Sequence, residues 1–333
     1  MYDENLEIYE KVDKWISRDL KTAVATVINT WKSAPRPVGS QLAVNQNLEF
    51  VGSLSGGCIE REVIEEAMGV IADGQARTLS FGISHQDALE SGLACGGSIK
   101  IYVELVKPEI KLIRQGLLER RNFALLTDLS EGKTEYFDSN TRTIFGSMVL
   151  CDATKEKMMS GTNGFFEKKD KQYFIKSCLK PLSLYIVGAV HISQALIPMA
   201  KIAGFEPTLI DPRSTFASQA RFPNTNILCK WPEEAFPEIK LDERSAVIVL
   251  SHDPKFDDPS LEFALSSNAF YIGALGSKKS QKARLERLSL NGFSNEQLKR
   301  IHGPIGLDIG AKTSSHIAVA IIAELISCIN TTS

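Results

Sequence analysis

The stretch Leu182 to Asp211, LSLYIVGAVHISQALIPMAKIAGFEPTLID, decides the fold. Leu182 to Val187 is an apolar run of the kind found in strands buried on both faces. Gly188 ends it. From His191 to Ala203 apolar residues recur at helical spacing (Ile192, Leu196, Met199, Ile202), and Gly204 stands where a C-cap would. Thr208 to Ile210 predicts a second strand, which ends at Asp211. Strand, glycine turn, helix, strand and acid make the opening unit of a doubly wound nucleotide-binding sheet. The acid falls about 20 residues past the turn, where a ribose hydroxyl would be held.

The phosphate fingerprint of that unit is incomplete. G-x-G-x-x-G would need glycine at 188, 190 and 193, and the chain has Gly188, Val190 and Ser193. Only the tight-turn glycine is kept. Val190 puts a branched side chain where backbone would approach a pyrophosphate. The fold signal is therefore strong and the dinucleotide signal weak.

Regular alternation continues beyond Asp211. Strands are expected at 226–230, 245–250 and 269–273, and helices at 214–220, 259–266, 278–290, 294–301 and 313–328, which predicts a parallel sheet covered on both faces. Upstream the pattern differs. An amphipathic helix spans Asn5 to Asp19, with Leu6, Tyr9, Val12 and Ile16 on one face. A strand covers Thr22 to Thr30. A hairpin joins Gln41–Val44 to Glu49–Val51, and a helix runs from Ile59 to about Ala72. Strands follow at Arg77–Phe81 and Ser98–Val106, then a helix at Glu109–Arg121. Several β-like segments lead to Cys178, and Asp152 to Lys171 has no readable pattern. The expected class is α/β. An N-terminal mixed α/β domain (1–178) precedes a C-terminal Rossmann-like doubly wound parallel sheet (181–333).

Composition excludes some functions. A net charge of −2 gives no basic footprint for nucleic acid. No apolar run approaches the ~20 residues of a membrane span. The start, MYDENLEIYEKVDKW, is acidic and amphipathic, unlike a signal peptide, so a cytoplasmic location is expected. None of the six cysteines forms a C-x-x-C pair, which argues against a zinc site of that type, and free thiols are expected. Cys229 and Cys328, in apolar runs, read as buried packing residues.

Five stretches could carry chemistry. In GSLSGGCIE, Gly56 and Gly57 precede a helix start and would offer backbone N–H groups to an anion; Cys58 at that start would have a lowered thiol pKa. The competing reading is a tight turn with a packing cysteine. In ESGLACGGS, Cys95 is followed by Gly96 and Gly97; paired loop thiols could ligate a soft metal or touch a sulfur-rich cofactor, and the glycines could equally serve a bulge. In VLSHDPKFDDP, His252 and Asp253 follow a strand and fall at the carboxyl edge of the sheet, while Asp257 and Asp258 read as solvated or capping. In YIGALGSKKS, Gly276 lies in a second plausible phosphate cradle. In HGPIGLDIGAKTSSHIA, Asp308 would point to the crevice if the loop folds over the edge. His191 would project there from the first turn after Gly188. No nucleophile, base and orienting partner occur together.

Taken together, SAPRPVGSQLAV, GSLSGGCIEREVIEEA, GLACGGSIKIYVE, VGAVHISQAL, DPR with RFP, SHDPKFDDPSLEFAL, YIGALGSKKSQKARLERL and HGPIGLDIGAKTSSHIAVAIIAEL resemble the xanthine dehydrogenase accessory factor family, XdhC/CoxI. The resemblance covers about residues 10–105 and 182–328. It implies a maturation factor that is not itself a catalyst. Such a factor binds the molybdenum cofactor, molybdopterin, during sulfuration by a cysteine desulfurase. It then delivers the cofactor to a molybdenum hydroxylase of the xanthine dehydrogenase type. It also implies a homodimer. By resemblance Cys58 and Cys95 stand at the family's SGGC and ACGG cysteines. Gly188, Ala189 and His191 match its G-A-G-H turn, from which Val190 departs. A cleft between the two domains, with His191, His252 and Asp253 facing the thiols, would suit an anionic, sulfur-rich cargo. Two other readings stand beside this one: an NAD(P)-dependent oxidoreductase, disfavoured by Val190 and Ser193, and a non-catalytic subunit of a dehydrogenase complex.

Overall fold

In the computed structural model, residues 2–32, 36–57, 59–82, 97–107, 110–138, 143–145, 160–168 and 171–331 are described. The chain divides into two compact units, Met1–Lys180 and Pro181–Ser333.

The N-terminal unit holds two antiparallel sheets. The first contains β1 (Thr22–Trp31), β2 (Gln41–Asn45), β3 (Phe50–Gly52), β4 (Arg77–Phe81) and β5 (Ser98–Leu105), in the order β3-β2-β1-β5-β4. One face is covered by α2 (Glu60–Asp73), whose Val63, Ala67 and Val70 pack on Ala25, Val27, Ile101 and Val103. Strand alternation sends Val24, Thr26, Ile28, Tyr102 and Glu104 to the opposite face. There they meet the second sheet. It is built from β6 (Phe123–Asp128), β7 (Lys133–Asp138), β8 (Thr143–Phe145), β9 (Gly164–Lys168) and β10 (Lys171–Cys178), in the order β8-β7-β6-β10-β9. Helices α1 (Tyr2–Ile16) and α3 (Ile110–Leu118) pack beside both sheets. The buried face of α1 is Ile8, Tyr9, Val12 and Trp15, with the expected Leu6 and Ile16 at its margins. The β-like segments before Cys178 are thus a complete second sheet.

The C-terminal unit is a six-stranded, all-parallel sheet. Its strands are β11 (Leu182–Val187), β12 (Phe205–Ile210), β13 (Asn226–Leu228), β14 (Ser245–Val249), β15 (Tyr271–Ala274) and β16 (Ile301–His302). The order β13-β12-β11-β14-β15-β16 is that of the doubly wound dinucleotide-binding fold, reversing between β11 and β14. Period two sorts the side chains cleanly. Leu184, Ile186, Ala246 and Ile248 face α4 (His191–Ile202) and α9 (Ser314–Thr331); Val187, Val247 and Val249 face α6 (Pro254–Leu265). Short α5 (Pro232–Ala235), α7 (Lys278–Leu290) and α8 (Asn295–Leu298) complete the unit. No helix among the described residues is long and apolar enough to cross a membrane.

Several expectations fail for local reasons. The helix at 214–220 is a pair of isolated turns. Arg221 Nη1 donates to the Phe216 carbonyl at 2.8 Å, the acceptor a continuing helix would have used. The helix expected to start at Pro259 starts at Pro254, because Asp253 caps it by accepting the Lys255 N–H at 3.0 Å. The helix at 294–301 stops at Leu298, since Ile301 enters β16. Cys229 is exposed rather than buried: it follows the last residue of edge strand β13 and its thiol meets the Pro212 carbonyl at 3.5 Å. Cys328 is half-buried.

The two aspartates read as solvated are both paired. Asp258 holds Arg287 through two bonds of 2.6 and 2.9 Å. Asp257 is buried. It accepts from Ser251 Oγ at 2.7 Å and lies 3.2 Å from Arg284, itself buried. Removing one partner of a buried pair strands the other charge in low dielectric. Arg284→Ala is therefore expected to destabilise the C-terminal unit by about 3–5 kcal/mol. The double change Asp257→Leu with Arg284→Met is expected to cost less than that single change. Denaturant midpoints of the three proteins check this.

Candidate functional site

Every candidate residue of the C-terminal unit lies past the carboxyl end of a parallel strand. Gly188 and His191 follow β11, Asp211 follows β12, His252 and Asp253 follow β14, Gly276 follows β15 and Asp308 follows β16. The topology thus collects them on one sheet edge, and the turns after β11 and β14 touch. Gly188 has φ +109°, and a Cβ there would stand 3.1 Å from the Ser251 nitrogen, so glycine is required.

The turn is closed from within by side chains. Ser193, at the third fingerprint position, is fully buried and donates to the Gly188 carbonyl at 2.5 Å. Asp211 is also fully buried. One carboxylate oxygen accepts the Ala189 N–H at 2.8 Å and Arg213 Nη2 at 2.6 Å; the other accepts Arg213 Nε and the Arg213 N–H, each at 2.9 Å. Burial pushes its pKa up, but Arg213 and the two N–H groups hold it below the usual carboxylate range. The acid placed for a ribose hydroxyl is thus already bonded at both oxygens. Arg213 in turn lies over the Phe216 and Phe256 rings at 4.7 and 5.3 Å.

What the edge leaves open is the start of α4. Helices α6, α7 and α9 are capped by their own side chains: Asp253 accepts from Lys255, Ser277 from Ser280, and Thr313 from His316. At α4 the cap position is Val190, which makes no side-chain cap bond, and no side chain among the described residues closes the helix end. Its first-turn N–H groups and the positive end of the dipole therefore face the switch point, which suits an anion. Two imidazoles belong to the turns that meet here. His191 is exposed and holds Gln194 at 3.1 Å. His252 is exposed at φ +61°, a left-handed conformation uncommon for a non-glycine residue. Gly276 lies in the left-handed half of φ, and Asp308 is exposed.

The N-terminal loop has a comparable construction. Cys58, Cys95 and Gly96 lie outside the described residues; Gly97 immediately precedes β5. Gly56 and Gly57 both have positive φ (83° and 121°), which aims successive N–H groups inward. The anion they cradle is the chain's own. The Glu60 carboxylate accepts N–H groups from Leu54 (3.1 Å), Ser55 (2.8 Å), Gly56 (3.0 Å), Gly57 (2.9 Å) and Ile59 (3.3 Å). The Ser53 and Ser55 hydroxyls add bonds of 3.0 and 2.6 Å. Burial pushes the pKa of Glu60 up; the Ser55 hydroxyl and the backbone donors outweigh it and hold the group at about 2. The expected anion-binding cradle is therefore filled by Glu60, a residue that sequence reasoning passes over. Its signal is there: serines and glycines followed at short spacing by an acid at a helix start. Among the described residues no cluster of His, Cys, Asp and Glu could hold a metal ion.

A glycine-loop unit followed by a Rossmann unit whose acid is internally bonded defines the class of protein. Two family models match it: the XdhC and CoxI family over residues 15–82 and the XdhC Rossmann domain over 184–325. The chain belongs to the XdhC/CoxI family. It is 25% identical over 306 residues to a protein of Escherichia coli K12 named molybdenum cofactor insertion chaperone PaoD, covering 91% of this chain and 82% of that one. It is 25% identical over 334 residues to a protein of Bacillus subtilis 168 whose name makes it a probable xanthine dehydrogenase subunit, covering 95% of each. A crystal structure titled as a xanthine dehydrogenase from Bacillus halodurans shares the fold, with a TM-score of 0.75 at 24% identity, covering 98% of this chain and 96% of that one.

Because folding lowers the Glu60 pKa, its stabilisation is present above about pH 4.5 and fades as pH falls toward 2. Glu60→Gln is expected to destabilise the N-terminal unit by about 3 kcal/mol at neutral pH, the scale of lost bonds to a buried charged group. It is also expected to flatten the loss of stability between those pH values. Acid and urea denaturation followed by circular dichroism checks both; an unchanged acid profile would rule Glu60 out as the latch.

Proposed function

We propose that this chain is a molybdenum-cofactor maturation factor. It binds the cofactor as cargo, holds it during sulfuration by a cysteine desulfurase and passes it to a molybdenum hydroxylase of the xanthine dehydrogenase type. The observation that carries this reading is family membership across both units, with a named cofactor-insertion chaperone among the relatives that match most of the chain. The cargo is anionic and rich in sulfur. The uncapped start of α4, with His191 in its first turn and His252 on the neighbouring turn, offers donors to a phosphate. Cys58 and Cys95 offer soft sulfur groups for the metal-dithiolene end.

The geometry weighs against hydride transfer to a nicotinamide. Asp211 is fully engaged by Arg213 and Ala189, and Val190 occupies the position of close backbone approach. The chain's own part in the proposed role is to bind, shield and release. A second reading, a resident subunit of a dehydrogenase complex, is favoured by the name of the Bacillus subtilis relative. Stable stoichiometric co-purification with a large subunit during turnover would select it over transient delivery.

Protein purified without oxygen is expected to carry a pterin that becomes fluorescent on oxidation. Absence of pterin, with no uptake of added molybdopterin, would refute the proposal. Cys58→Ala and Cys95→Ala are each expected to leave the circular dichroism spectrum unchanged. Each is expected to reduce activation of the target enzyme by about tenfold, the effect of losing roughly 1.4 kcal/mol of cargo contact. Full activation by both variants would make the thiols structural.

A further inference from the structure

The space between the two sheets of the N-terminal unit is not filled. A cavity of about 70 Å³ is enclosed by β1, β2 and β5 on one side and β6, β7 and β10 on the other, with α1 and α3 beside it. At roughly 10–15 Å³ for each water, that is room for about five to seven waters or for one small organic molecule.

Its walls are of two kinds. Val24, Ile28, Leu125 and Phe174 make it apolar over much of its surface. Between them stands Lys176, only 3% exposed. Its ammonium donates to Asn5 Oδ1 at 3.0 Å and to Gln41 Oε1, both neutral acceptors, and lies 5.8 Å from the Tyr9 ring. An ammonium has three donors, so one has no oxygen acceptor among the described residues. Tyr102, on the facing sheet, is 3% exposed, and its hydroxyl has no hydrogen-bond partner among the described residues. A buried cation held only by amides is a costly arrangement for a wall with no occupant.

The other charged groups on the lining are Glu104, Glu135 and Lys107. Glu104 is bound by Thr134 Oγ1 at 3.0 and 3.2 Å and is influenced by Lys107. The groups acting on Lys176 are Cys178 and Glu4, and burial brings its pKa down to about 8. Lys176 thus keeps most of its charge at neutral pH and has no carboxylate hydrogen-bonded to it. The lining reaches the surface at exposed Lys107, a second cation on the way in.

We propose that this inter-sheet cavity is a binding site for a small organic carboxylate of two to four carbons, with Lys176 as its counter-charge and the apolar wall around its hydrocarbon end. A compact inorganic anion would leave the apolar surface bare, and a neutral alcohol would leave the cation uncompensated. The site is independent of the cofactor reading, because it lies wholly within one unit and is too small for a pterin.

Propionate is the probe, applied to the full chain at pH 7, with 1-propanol and chloride as controls. Titration calorimetry is expected to give saturable one-to-one binding of propionate and none of either control. The propionate methyl is expected to show nuclear Overhauser contacts to Phe174 and Leu125. Lys176→Met, close in length to the native side chain, is expected to abolish binding. The proposal falls if propionate does not bind saturably, if 1-propanol binds equally well, or if Lys176→Met binds propionate unchanged. Should Lys176→Met fail to fold, the Overhauser contacts in the unaltered protein decide the matter: their absence with propionate bound places the ligand elsewhere.

Discussion

The Glu60 carboxylate is the point from which the N-terminal unit is organised. Five backbone N–H groups and two hydroxyls converge on it within eight residues of chain. Without that anion, two glycines in left-handed conformations would hold their donors together for nothing, and the loop would have no reason to keep its shape. With it, the end of the β2–β3 hairpin is tied to the start of α2, whose apolar face covers the first sheet. The residues on both sides of position 58 are bonded to the same carboxylate. A loop held in this way needs no ligand to become ordered.

The same device recurs in the other unit. Asp211 bonds to Ala189 and Arg213 and fixes the turn between β11 and α4. In both units, then, backbone donors that a glycine pattern reserves for an outside anion are satisfied by a carboxylate of the chain. A glycine motif reports that backbone N–H groups converge; it does not report which acid they converge on. The distinction bears directly on function. At the carboxyl edge of the Rossmann sheet, α4 is the long helix whose cap residue, the branched Val190, makes no side-chain cap bond among the described residues.

The C-terminal sheet is legible in the sequence because its signals are local. The first five strands are short apolar runs, α4 carries a 3.6-residue pattern, and Gly188 marks the one turn that must admit φ +109°; the two-residue β16 is too short to be read and falls inside the helix expected at 294–301. The second sheet of the N-terminal unit is not legible as a sheet. β6 pairs with β10 some fifty residues away, and β8 and β9 are only three and five residues long, so no window holds enough of the pattern. Asp257 escapes for a related reason: its partner Arg284 lies 27 residues on, in another helix. At 214–220 the helical pattern is real, but the Arg221 side chain takes the carbonyl that would have propagated it. Glu60 is within reach of the sequence, since all its donors lie between residues 53 and 59. It is passed over because an acid in a first helical turn is already explained by the helix dipole.

The distribution of buried charge separates the two units. Among the described residues of the C-terminal unit the buried charges are matched, Asp211 with Arg213 and Asp257 with Arg284, and half-buried Glu324 is bonded by Tyr271 and the Gly306 N–H. Such matching fixes one arrangement of loops around the sheet edge, which suits a surface presented to a large partner or cargo. In the N-terminal unit Lys176 is buried against neutral groups, and burial brings the Glu104 pKa up to about 7. Replacing Lys176 by a hydrophobic residue of similar length would fill part of the gap and remove the desolvation cost of the charge. The volume left beside that cation makes the inter-sheet space a second place, besides the start of α4, where an anion would be felt.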